Sequence, residues 1–204
     1  MIPLIQMIVA MEMLLLPAWV GATFVRPPDS LARRLAQAPA AVVLVAAVLL
    51  VLAAIAGGGT VAGVVRSQAV AVGFMVLLAG LAALLERVAG ARAAQVLTAR
   101  LGWAILGAVI LAGPVVEMLD APAKAAVVRA VVHANPLMVA EQELDLKWLH
   151  QSLSYRLTAI GESYSYLYGA PAWWKTLLGH LFVGSGLLAF SGRRRTGADA
   201  VPSP

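Results

Sequence analysis

The sequence predicts an all-α integral membrane protein: a bundle of about five transmembrane helices, with an extracytoplasmic amphipathic helical segment between the fourth and the fifth. Three observations carry that prediction. The chain is 61% hydrophobic and 12% charged, with mean hydropathy +0.87, about half the charge of an ordinary soluble domain. Its Ala/Leu/Val runs have the roughly 20-residue length that crosses a bilayer core of about 30 Å, and they lack the alternation of barrel strands. Its basic residues gather in separate links between those runs.

Five segments meet the length requirement: residues 2–25, 39–57, 68–85, 101–119 and 171–190. The first lacks a charged leader region and is longer than a signal peptide's apolar stretch, so it reads as a retained helix. Arg26, Arg33 and Arg34 follow the first span; Arg87, Arg92 and Arg100 follow the third; Arg193, Arg194 and Arg195 follow the fifth. With five spans all three groups lie on one side, which the positive-inside rule makes cytoplasmic. The expectation is therefore a multi-pass protein of the inner (plasma) membrane, N-terminus outside and C-terminus cytoplasmic, ending in a basic, disordered tail over residues 191–204. Loss of the glycine-containing third span would break the alternation.

The net charge of +5 is accounted for by this topology, and no basic stripe interleaves with aromatics, so nucleic acid is not an expected partner. With no cysteine, disulfides, thiolate metal sites and cysteine nucleophiles are excluded. No HExxH, paired-histidine or nucleotide-loop pattern appears, so neither a metal nor a cofactor is expected.

Helices in lipid associate through small residues. Ala104, Ala108 and Ala112 recur on one face of the fourth span, and Gly179, Gly184 and Gly186 thin the fifth. Pro17 and Pro114 free carbonyls that need another partner. Trp19 and Trp103 fall near cytoplasmic ends of spans, whereas Trp173 and Trp174, with Lys175, read as an outer interfacial anchor.

Two residues are chemically out of place in lipid. Glu12 and His180 lie near the middle of the first and fifth spans, some nine or ten positions from the outer end of each. A charged side chain there costs about 2.5 to 3.5 kcal/mol unless neutralised or paired. Equal depth suggests an intramembrane polar pair, with Gln6 nearby. Ser185 and His180 do not form a nucleophile and base, because five residues at 100° each set them about 140° apart.

Residues 120–170 form the outer segment. Asp120 followed by "APAK" reads as an N-cap and first-turn proline, and "ANP" at Ala134 to Pro136 as the end of that helix. In the next helix Leu146, Leu149, Leu153, Leu157 and Ile160 share one face, fit to lie on lipid or on a partner, and Glu143 pairs with Lys147. Tyr164, Tyr166 and Tyr168 then alternate onto one side as an interfacial ladder. His133, Glu141, Asp145, His150 and Glu162 are the outer residues fit for acid–base work; in a catalytic reading His150 is the base, Glu162 its partner and Arg156 the anion holder.

By elimination the sequence points to a non-catalytic accessory or assembly subunit of a larger membrane complex, such as a transport system, with the bilayer and a membrane-protein partner or a second copy as its contacts. The alternatives are a membrane-embedded enzyme acting on a lipid-linked or peptide substrate at the outer interface, and a small transporter or channel using Glu12 and His180.

Overall fold

The structure is a computed structural model that describes residues 2–24, 31–57, 60–111, 115–116, 118–144 and 172–192. Its longer elements are seven α-helices: α1 (Ile2–Phe24), α2 (Leu31–Ala56), α3 (Thr60–Ala89), α4 (Ala91–Leu111), α5 (Ala121–Ala134), α6 (Pro136–Glu143) and α7 (Trp173–Gly192). No strand occurs among the described residues. The all-helical class expected from composition is observed. Two helices outrun the expected spans: α2 starts at Leu31 and α3 at Thr60, each eight residues early, because "LARRLAQA" and "TVAGVVRS" are free of proline, and their arginines end an apolar run without ending a helix.

Among the described residues two helices, Ile2–Thr23 and Thr60–Ala89, are long and apolar enough to cross a membrane, and Val42–Ala56 is a shorter apolar stretch. This is fewer than the five expected spans. Lys175, Thr176 and His180 dilute the apolar character of α7, and the described part of α4 stops at Leu111, inside the expected fourth span.

α3 is the central helix. Its buried residues, from Gly63 and Val64 through Gln68, Phe74 and Leu78 to Ala82, cover most of its circumference and leave a strip with Val61, Val65 and Val72 exposed; it packs against α1, α2, α4, α6 and α7. A helix with so wide an apolar face is stable when other helices cover it. α1 buries the stripe Ile5, Val9, Met13, Leu16 and Val20 at helical spacing, and with Phe74, Leu49 and Leu78 these form the main core. A second cluster, Val109, Val116, Val128 and Val132, joins α4 to α5.

Close backbone approach sets the helix directions. An added Cβ on Gly73 would meet Leu177, and one on Gly80 would meet Gly184, while Arg87 Nη1 donates to Phe190 O at 3.0 Å. Numbers rise together along both chains, so α3 and α7 run parallel. α1 and α4 are antiparallel: Gly21 meets Gln95 and Ala99, Pro17 lies on Gly102, and Trp103 Nε1 donates to Leu14 O at 2.9 Å. Pro17 has no N–H for the Met13 carbonyl and disturbs the turn before it; the indole donates one residue further on, to Leu14 O.

The small-residue faces differ from those expected. On α4 the buried stripe is Ala94, Thr98, Gly102, Leu106 and Val109, whereas Ala104 is exposed. On α7 only Gly184 is a packing glycine, since Gly179 and Gly186 have nothing within 4 Å of a Cβ position. The inward stripe of α7 is Thr176, His180 and Gly184, every fourth residue, and Leu178, Phe182, Val183 and Phe190 face outward.

Candidate functional site

Asn135, Thr176 and His180, half of the buried polar side chains among the described residues, gather around a helical hairpin that the sequence reading places outside the bundle. α5 begins as expected: Asp120 is its N-cap, with Oδ1 accepting from Ala123 N at 3.3 Å, and a proline stands in the first turn. It ends, also as expected, at Ala134. There the chain reverses on Asn135, whose Oδ1 accepts from Leu137 N at 2.9 Å, and Pro136 opens α6.

Asn135 is only 1% exposed. Its Nδ2 donates to Ile105 O at 3.2 Å and Leu106 O at 2.8 Å, so the tip of the hairpin is tied to the middle of α4. A buried helix end leaves carbonyls without partners, and each must find a donor. Two side chains of α7 meet that need: Thr176 Oγ1 donates to His133 O and His180 Nε2 to Ala134 O, each at 2.9 Å. A carbonyl only accepts, so His180 carries a proton on Nε2. Its ring lies against Phe74 of α3, with centroids 5.6 Å apart.

α6 then climbs back along α3. Glu143 Oε2 pairs with Arg66 Nη1 at 3.0 Å, Gly63 packs directly against the Glu143 carbonyl, and Gln6 Nε2 donates to Leu144 O at 3.0 Å. Arg66 is thus a partner of Glu143; Lys147, the partner expected from the sequence, lies outside the described residues. Residues 120–144 form a wedge between α1, α3, α4 and α7, entering and leaving toward the same end of the bundle.

Glu12 and His180 do not bond each other. Glu12 Oε2 accepts from Gln68 Nε2 at 2.7 Å, and Glu12 Oε1 has no hydrogen-bond partner. Gln68 and Phe74, the α3 neighbours of the two residues, are six positions apart, which sets them about 120° around and 9 Å along that helix. Counting residues from helix ends gives equal depth, but α1 and α7 pack on different faces of α3 at different heights. Gln6 is spent on Leu144, and so belongs to neither residue.

Glu12 lines a groove of about 320 Å³ between α1 and α2, walled by Met7, Met11, Leu15, Trp19, Val42 and Val45. At the other end of the molecule, Arg87 lies 5.1 Å from the ring centroid of Phe190. Of the expected anchors, Trp174 is half-exposed with Lys175 Nζ 5.5 Å from its ring centroid, and Trp173 is partly buried. Ser185 is exposed while His180 is buried, on opposite sides of α7 as helical geometry requires.

Leu146, Leu149, Leu153, Leu157 and Ile160, the ladder of Tyr164, Tyr166 and Tyr168, and the acid–base set His150, Arg156 and Glu162 lie outside the described residues. Of the outer ionisable group, Asp145 also lies outside the described residues, whereas His133 and Glu141 are described: Glu141 stands on α6, and His133 Nδ1 donates to Arg129 O at 2.7 Å within α5. Among the described residues no three His, Asp or Glu side chains are placed to hold a metal ion.

Sequence reasoning did not single out Asn135, Thr176 or Gln68 as polar ties. Asn135 was legible only as a helix stop, although an asparagine between Ala134 and Pro136 is also an N-cap in waiting. Thr176, four residues before His180 on one face, was the available signal for a polar inward stripe.

Among the described residues the protein is all-helical, with two helices long and apolar enough to cross a membrane. No protein family matches the chain, and neither does any curated protein or any solved structure.

Proposed function

We propose that this chain is a multi-pass inner-membrane protein, N-terminus outside and C-terminus cytoplasmic, that serves as a non-catalytic accessory or assembly subunit of a larger membrane complex. The observation that carries the reading is the inside-out character of α7. It turns Thr176, His180 and Gly184 inward and presents Leu178, Phe182, Val183 and Phe190 outward. In water the opposite arrangement would be favoured; in lipid, or against other apolar helices, polar groups belong inside and close packing depends on small residues.

The polar groups inside support a scaffold. Gln6, Asn135, Thr176 and His180 each donate to a main-chain carbonyl at the hairpin or across from it. Side chains committed to helix ends hold a shape. The parallel course of α3 and α7 and the antiparallel course of α1 and α4 agree with spans that alternate in direction.

The test is purification in mild detergent through a tag on the tail of residues 191–204, from cells expressing the protein at its natural level, beside a variant with Leu149, Leu153 and Leu157 changed to serine. A stoichiometric complex with a membrane partner, lost in the variant, is the expected result. Recovery of the chain by itself from both preparations would overturn the assembly reading.

A further inference from the structure

Glu12 is the only acidic residue on the described faces of α1 and α2, and it sits in the wall of their groove with its hydrogen bonding half made. Oε2 is held by Gln68; Glu12 Oε1 and Gln68 Oε1 are both buried and both without a donor. A buried acceptor left unpaired costs free energy, and among the described residues no cation bonds the Glu12 carboxyl group. Arg66, the nearest cation along α3, is paired with Glu143.

From this pairing of a half-bonded carboxyl group with apolar walls, we infer that the α1/α2 groove binds an amphiphilic amine, which meets the Glu12 carboxyl as an ammonium–carboxylate pair and carries an apolar chain that lies along the helices. An anion would repel the carboxylate. An uncharged alkyl chain would fill the groove but leave the acceptors as they are. The ammonium supplies both the charge and more than one donor, enough for Glu12 Oε1 and Gln68 Oε1 together.

The walls suit a chain of variable shape. Met7, Met11 and Leu15 are more than half exposed, and methionine is unbranched and repacks readily. Glu12 Oε1 is itself buried, so the groove's side chains must shift for the amine to reach it. Trp19 is seven residues beyond Glu12, about 10 Å along α1, and so lies beside the tail of an occupant whose nitrogen is at Glu12.

That spacing supplies a site-specific readout. The protein in neutral maltoside micelles is titrated with a primary alkylamine brominated about 10 Å from its nitrogen, and with the alcohol of the same chain. Trp19 fluorescence is taken as the difference between wild type and Trp19→Phe. The amine is expected to quench Trp19 at a micellar mole fraction at least tenfold below that of the alcohol, and Glu12→Gln is expected to abolish the advantage. Equal quenching by amine and alcohol in the wild-type protein would overturn the inference. So would an amine preference that survives Glu12→Gln in a protein of unchanged helicity. The wild-type comparison decides the matter even where the variant fails to fold.

Discussion

Gly80 of α3 and Gly184 of α7 are in backbone contact: a Cβ placed on Gly80 would lie 2.5 Å from the carbonyl oxygen of Gly184, and one on Gly184 would lie 2.5 Å from that of Val76. Neither neighbour is a side-chain end that can swing away. Two parallel helices therefore touch main chain to main chain, at the lower end of a seam that Gly73 and Leu177 begin.

Gly184→Ala is expected to force α3 and α7 apart, at a cost of about 1–3 kcal/mol. Gly186→Ala, two residues on and with nothing within 4 Å, should leave stability unchanged or slightly raise it through better helix propensity. Unfolding midpoints of both variants in detergent check the contrast; equal losses would mean that the seam is not where the packing places it.

Asn135 performs two tasks with one amide, capping α6 through Oδ1 and tying the hairpin tip to α4 through Nδ2. Asn135→Ala should cost about 1 kcal/mol for the cap and about 0.5–1.5 for each tie, roughly 2–4 in all. Asn135→Asp retains the cap acceptor and loses the ties, so it separates the two. Hydrogen exchange at α5 and α6 should rise in both variants.

Thr176 and His180 hold consecutive carbonyls, His133 and Ala134, and should behave as one device. In a double-mutant cycle Thr176→Val and His180→Leu are expected to couple by more than about 0.5 kcal/mol, because one loss loosens the helix end on which the other acts. Glu12→Gln and His180→Leu have separate partners and should add within about 0.5 kcal/mol. Strong coupling of Glu12 to His180 would restore a direct link that the observed hydrogen bonds do not contain.

The proposed orientation is testable by cysteine labelling, since the natural chain has no cysteine to remove. Met118→Cys, at a position 87% exposed, should react with an impermeant maleimide on intact cells. Arg194→Cys should react only after the membrane is opened. The reverse pattern would invert the proposed topology.

Much of the helical content was readable from the sequence because it rests on local physics. Long apolar runs, the Asp120 cap and the proline after Asn135 act within a turn or two, and α5 begins and ends where those signals place it. The same locality explains the failure over Glu12 and His180. Depth counted from each span's end treats helices as equivalent rods, whereas the two residues meet different faces of α3 at different heights.

By itself the sequence determined the all-α class, the helix-end signals and the set of polar residues that are expensive to bury, all of which follow from residue type and spacing. Only the tertiary structure decided where those polar residues are spent. It folded residues 120–144 back between α1, α3, α4 and α7, because the carbonyls at the end of α5 could be satisfied there by Thr176 and His180, groups 43 and 46 positions away along the chain. Hydrogen bonds of that range depend on which helix faces meet, and a one-dimensional pattern does not carry that information.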